Sequence, residues 1–239
     1  MKTRWALIGC LAIVACKEPP TPMSTTPSFV EQVAAPRQPS SLRPLLVMLH
    51  GIGADEHDLF GLAAALDPRL TVVSLRAPRP YSAGYSWFDI EFRPGGQIVP
   101  NLEQARATLQ DLITWLQAAP ARHGTDPSRT FLLGFSQGAM MSLGVLQTQP
   151  TLLAGVLALS GRFPGEAFGT PSDAVGAVPV FVAHGTQDDV LPIENGRKVR
   201  DTLTSHVRDL TYREYPIGHG ISDAEVKDVS AWLTAHLGS

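Results

Sequence analysis

Apolar and polar positions along this chain alternate between two periods. Leu210–Tyr215 is expected as the last strand, and short, nearly continuous apolar runs occupy Leu45–His50, Leu70–Arg76, Thr130–Gly134, Ala154–Ser160 and Val178–His184. Runs this short, with little polar alternation, fit strands buried on both faces. Between them, apolar residues recur every three or four positions over Glu56–Leu66, Asn101–Ala119, Ala139–Gln149, Ile193–Ser205 and Asp223–Leu237. That is the period of a helix with one buried face. In the longest of these, Leu102, Ala105, Leu109, Leu112, Ile113 and Leu116 share a face, and Asn101-Leu102-Glu103-Gln104 reads as a capping box. Strands alternating with helices predict an α/β fold, with a mostly parallel central sheet covered by helices on both faces.

The N-terminal residues follow neither period. Met1-Lys2-Thr3-Arg4 is basic, and Trp5–Ala15 is an apolar run too short to span a bilayer. This is the profile of a signal peptide over residues 1–15. Ile13-Val14-Ala15-Cys16 resembles a bacterial lipobox, which makes Cys16 the expected lipidation site. Residues 16–41 hold Pro19, Pro20, Pro22, Pro27, Pro36 and Pro39 among Ser, Thr and Ala, and read as an extended tether. The catalytic domain is therefore expected over 42–239. Lys17 differs from the aspartate that, by resemblance to known lipoproteins, would favour inner-membrane retention. The expected location is an outer-membrane anchor facing the periplasm, or otherwise a periplasmic or secreted protein.

Composition narrows the chemistry. A 239-residue chain with 44% hydrophobic residues is sufficient for one domain with a sizeable core. The formal charge of −3 falls to −5 when Lys2 and Arg4, one positive charge each, leave with residues 1–15. No basic stripe is present, which argues against nucleic acid as a partner. Both cysteines, Cys10 and Cys16, precede the domain, so no disulfide, thiol nucleophile or cysteine-based metal site is expected within it.

Gly134-Phe135-Ser136-Gln137-Gly138 stands at the junction between a predicted strand and a predicted helix. A sharp turn there would hold a serine hydroxyl above the sheet, with the next backbone N–H facing a developing oxyanion. In the α/β-hydrolase chain order a carboxylate and then a histidine follow the serine. His219, in Gly218-His219-Gly220 after the last strand, is the expected base. Asp188 and Asp189 both lie in the loop where the acid belongs, and spacing does not choose between them. Arg162, after Ser160-Gly161, reads as a surface salt-bridge residue, with contact to a polar substrate as the other reading.

Over residues 45–237 the chain resembles the phospholipase/carboxylesterase family of α/β-hydrolases, which includes the acyl-protein thioesterases. The resemblance rests on Leu49-His50-Gly51-Ile52-Gly53-Ala54-Asp55, Trp87-Phe88-Asp89-Ile90, the Ser136 elbow, Leu159-Ser160-Gly161, His184-Gly185 with Asp188 and Pro192, and Gly218-His219. It implies that Asp188 is the triad acid and that the Ile52 and Gln137 amides form the oxyanion hole. It also implies that Trp87 and Phe88 lie near the substrate, while a buried structural aromatic is the other reading of Trp87. Leu191 stands where the family pattern has valine.

The expected activity is hydrolysis of short-to-medium acyl esters, with lysophospholipids or thioesters as further substrates, through an acyl-enzyme on Ser136. No large lid domain, metal or organic cofactor is expected. The partner is a small-molecule ester, and contact with a membrane comes only through the N-terminal anchor. An acyltransferase on the same fold, or a non-catalytic ligand-binding lipoprotein, are the alternatives.

Overall fold

The computed structural model describes residues 29–93, 97–163, 168–169 and 173–238. The expected signal peptide, Cys16 and the first part of the tether lie outside them. Along the chain come β1 (Glu31–Ala34), β2 (Leu45–Leu49), β3 (Thr71–Leu75), β4 (Arg79–Tyr81), β5 (Gly84–Ser86), β6 (Ile90–Arg93) and β7 (Gln97–Pro100). Helix α1 (Leu102–His123) follows, then β8 (Thr130–Phe135), α2 (Gln137–Thr148), β9 (Gly155–Leu159) and β10 (Val180–Gly185). Helix α3 (Glu194–Thr204), β11 (Leu210–Tyr215) and α4 (Asp223–His236) complete the fold.

Among the described residues the main sheet has seven strands in the order β1-β3-β2-β8-β9-β10-β11. Every neighbouring pair is parallel except β1 with β3. Alternate residues of each strand enter two separate cores, as the pleat requires. Leu45, Val47 and Leu49 join Leu112 and Leu116 of α1, Leu143 of α2 and Leu203 of α3 on one face. Leu46 and Met48 meet Val229, Trp232 and Leu233 of α4 on the other. The expected mostly parallel, two-faced sheet is the observed one.

Three local expectations are corrected. The domain does not begin at residue 42, because β1 pairs antiparallel with β3 from Glu31↔Leu75 to Ala34↔Val72. Phe29 is buried in the core, and Glu31 accepts from the Trp115 indole N–H at 2.9 Å. Residues 29–41 thus belong to the domain rather than to a tether. Their strand is short and leaves Val30 and Val33 exposed, so it lacks the apolar run of the inner strands.

Glu56–Leu66 is not a full helix; only Phe60–Ala65 winds, as a 3-10 turn. Upstream, Asp55 instead accepts from the His57 N–H, and Glu56 turns to Arg76. The capping box at α1 is half formed. Asn101 accepts from the Gln104 N–H, but the Gln104 side chain brackets Asp89 rather than returning to Asn101.

Helix α4 carries a buried acid. Among the described residues Glu225 is 1% exposed, and neither carboxylate oxygen has a hydrogen-bond partner. Burial, with repulsion from Asp228 in support, pushes its pKa up from 4.5 to about 7. The folded state then keeps a proton that the unfolded chain releases near 4.5, so this group's contribution to stability falls as pH rises between those values. Urea unfolding across about pH 5 to 8 should show wild type losing on the order of 3 kcal/mol relative to Glu225→Gln. Parallel stability curves for the two proteins would refute the buried, protonated carboxyl.

Candidate active site

Ser136 occupies the single residue between β8 and α2, with φ 52° and ψ −113°. An L-residue with a side chain rarely adopts this positive φ, so packing must impose it. Two glycines permit the turn. A Cβ at Gly138 would run into the Leu49 carbonyl oxygen, and one at Gly134 into the Gly138 carbonyl oxygen. The Ser136 N–H donates to Leu159 O of the adjacent strand at 2.9 Å, which fixes the crest of the turn.

His219 arrives from the loop after β11. Its Nε2 lies 2.9 Å from Ser136 Oγ and its Nδ1 lies 2.7 Å from Asp188 Oδ2. Asp188 follows β10, is buried, and its Oδ1 accepts from the N–H groups of Val190 and Leu191 at 3.0 and 2.8 Å. Asp189 is exposed and has no contact with His219 among the described residues, which separates the two acids. The Phe135 ring lies against the His219 ring at 5.0 Å between centroids. His184, also buried, sits 3.4 Å from Asp188 Oδ2 but is 2.7 Å from Leu191 O through the same nitrogen.

The three side chains meet at the carboxyl end of the parallel strands. In sheet order, β2 is flanked by β3 on one side and β8 on the other, so the winding direction reverses between β2 and β8. Open α/β sheets form their crevice at such a reversal. The His50–Gly53 loop enters the crevice from β2. His50 is fully buried, and its Nε2 accepts from the Ala77 N–H at 3.0 Å. That bond leaves Nδ1 as the protonated nitrogen, donating to Gly51 O at 2.7 Å. Burial pulls the His50 pKa below the usual histidine value, so the ring serves as a neutral brace.

The loop is clamped from outside as well. Gly53 N–H donates to Tyr85 O and Tyr85 N–H to Ala54 O, both at 2.8 Å. Glu56 is held by a two-pronged pair with Arg76, whose guanidinium lies over the Tyr85 ring at 4.6 Å. This pairing keeps the Glu56 carboxyl below its usual pKa. Among the described residues, neither the Ile52 nor the Gln137 amide has an acceptor within the protein.

A cavity of about 110 Å³ opens over Ser136, walled by Ile52, Phe88, Ile90, Ile98 and Met140. Phe88 lines the cavity. Trp87 takes the structural one of its two readings: it is fully buried behind the loop, donating its indole N–H to His50 O at 2.9 Å. Sequence reading also overlooked the Gln137 side chain. It accepts from the Trp87 N–H at 2.8 Å and donates to Phe88 O at 2.7 Å, tying the cavity wall to the elbow. The adjacency of an amide side chain to the nucleophile was the available signal. Of the two readings of Arg162 the surface salt bridge is not observed: the residue lines the cavity and has no ion pair among the described residues.

The family model described as Phospholipase/Carboxylesterase matches residues 30–237. The chain belongs to this family. Its match starts one residue before β1, in keeping with the N-terminal strand as part of the domain.

Among family relatives, the esterase YpfH of Escherichia coli K12 is 28% identical over 82% of this chain and 83% of its own. Acyl-protein thioesterase 1 of Eremothecium gossypii is 29% identical over 86% of this chain and 92% of its own. In three dimensions the crystal structure of esterase PE8 superposes with a TM-score of 0.75 at 27% identity, covering 87% of this chain and 98% of that one. The Bacillus cereus carboxylesterase gives a TM-score of 0.77 at 21% identity, over 87% and 94% of the two chains, a likeness of fold. With these relatives the protein is a carboxylic ester hydrolase of the α/β-hydrolase fold.

Proposed function

We propose that the protein hydrolyses short-to-medium acyl esters through Ser136, with His219 as base and Asp188 as its orienting acid. The observation that carries this reading is the unbroken contact path from Ser136 Oγ through both nitrogens of His219 to Asp188. Asp188 fixes the tautomer with the proton on Nδ1, which leaves the Nε2 lone pair facing Oγ. As Oγ attacks the ester carbonyl, its proton passes to Nε2, and the imidazolium forms beside a carboxylate already held by two amides. The carbonyl oxygen becomes an oxyanion, which the free Ile52 and Gln137 N–H groups are placed to receive. His219 then gives its proton to the departing alkoxide, and water repeats the sequence to release the acid from Ser136.

The small apolar cavity supports short acyl groups over long ones. The basic and apolar segment before Cys16 supports an exported protein held at the outer membrane. A rate series from acetyl to palmitoyl esters, run beside matching thioesters, should peak among the shorter chains. A fluorophosphonate probe should label one site, on the peptide that holds Ser136. Folded protein that neither labels nor turns over any ester would favour the non-catalytic alternative.

A further inference from the structure

A second cavity, of about 310 Å³, adjoins the one over Ser136, and the two share Phe88, Met140 and Arg162 as walls. Its far side is made by Asn195 and Lys198 on α3. The charged residues among its described lining are thus two cations and no anion. Four arginines elsewhere in the chain are neutralised by a partner. Arg69, Arg76, Arg122 and Arg197 each close on a carboxylate. Arg162 is half-buried with no hydrogen-bond or ion-pair partner among the described residues, and burial alone lowers its pKa from the ordinary arginine value. A guanidinium withdrawn from water without a counter-charge is costly, and that cost is recovered when an anion completes its hydrogen bonds.

Position adds to the charge argument. Arg162 lies three residues beyond β9, the strand beside the one that carries Ser136. Gly161 is packed so tightly that a Cβ there would reach the Ala139 Cβ at 2.6 Å, so the backbone entering Arg162 is fixed against α2. The guanidinium therefore stands at the boundary between an apolar chamber over the nucleophile and a polar, positively charged chamber beside it. A substrate that spans both chambers has an ester at one end and an ionised group a few bonds away.

We propose that Arg162, with Lys198 across the second chamber, seats a carboxylate or phosphate carried by the ester substrate, so that the enzyme selects anionic esters over neutral ones. This inference rests on the esterase reading above. Guanidinium favours both anions by the same paired N–H geometry, and substrate arms separate their sources.

The test compares matched charged and neutral esters. The acyl-side arm uses monoethyl glutarate against ethyl glutaramate. The alcohol-side carboxylate arm uses the butyrate esters of glycolate and glycolamide. The phosphate arm uses the butyrate esters of hydroxyethyl phosphate and ethylene glycol. Wild type should show kcat/KM about tenfold or more in favour of the charged member in at least one arm, as expected of a charge-assisted hydrogen bond. In that arm Arg162→Gln should bring the ratio close to one, Arg162→Lys should restore part of it, and Lys198→Met should lower it by a smaller factor. The arm that responds identifies carboxylate or phosphate, and the side of the ester on which it sits.

Ratios close to one in every arm, or a charged preference that survives Arg162→Gln, would overturn the proposal. Turnover of the neutral esters reports the esterase reading separately, so its presence without a charge preference sinks this inference alone. Should Arg162→Gln fail to fold, Lys198→Met still decides, since Lys198 is exposed on α3 and an unchanged ratio there would count against the site.

Discussion

Ser136→Ala is expected to lower kcat for a short-chain ester by about 10⁵-fold or more, leaving only the residual rate that binding and the oxyanion donors supply. The substitution removes a single oxygen from a turn whose shape is set elsewhere. The Ser136 N–H still reaches Leu159 O, and Gly134 and Gly138 still accommodate the crest. Alanine at φ 52° is as strained as serine, so thermal stability should change little while activity collapses. Steady-state kinetics paired with thermal melts separates the two effects. Retention of wild-type kcat by a folded alanine variant would rule out Ser136 as nucleophile.

The second large effect concerns Asp188. Asp188→Asn is expected to cost about 10⁴-fold in kcat through the wrong histidine tautomer. Both oxygens of the carboxylate are committed: Oδ1 accepts from the amides of Val190 and Leu191, and Oδ2 faces His219 Nδ1. An asparagine keeps its oxygen on the two amides, so its NH₂ group turns to Nδ1 and demands a lone pair there. The imidazole proton then moves to Nε2, where it can no longer accept the Ser136 hydroxyl proton. Asp189→Asn changes an exposed charge and should stay within a few-fold of wild type. If the Asp189 variant shows the larger loss, the acid has been assigned to the wrong neighbour.

The parallel centre of the fold was legible because strands buried on both faces leave unbroken apolar runs. The inner strands differ from their apolar runs by one or two positions at the ends, and β11, an edge strand of mixed sequence, spans the expected Leu210–Tyr215. Ser136 was legible for a related reason: glycines on both sides of one serine, at a strand–helix junction, have few structural uses. His219 could be chosen by order along the chain, while Asp188 needed family resemblance, since neighbouring aspartates share their spacing. What separates them is burial and two backbone N–H groups, which only the folded loop provides.

Other features left no periodic trace. The hairpins β4–β5 and β6–β7 have strands of only three or four residues, too short to establish alternation. His50 and Trp87 look like site residues by composition, yet they are linked to each other and to the backbone beneath the cavity. Arg162 resembled a surface charge because its isolation depends on residues distant in sequence. Glu225 likewise sits at a capping position that would ordinarily place it in water, and α4 instead turns it inward.

The N-terminal strand has a consequence for how the molecule can be handled. Phe29, just before β1, lies 6.0 Å from the Trp87 ring, and Trp87 in turn holds the carbonyl of His50 at the base of the oxyanion loop. Two contacts thus connect the sheet's outermost edge to the loop that carries the Ile52 amide. A truncation point chosen where the apolar runs begin would leave Ser136, His219 and Asp188 in the polypeptide and still loosen the support beneath the Ile52 amide. For this enzyme, the choice of first residue in a recombinant version is a decision about active-site rigidity.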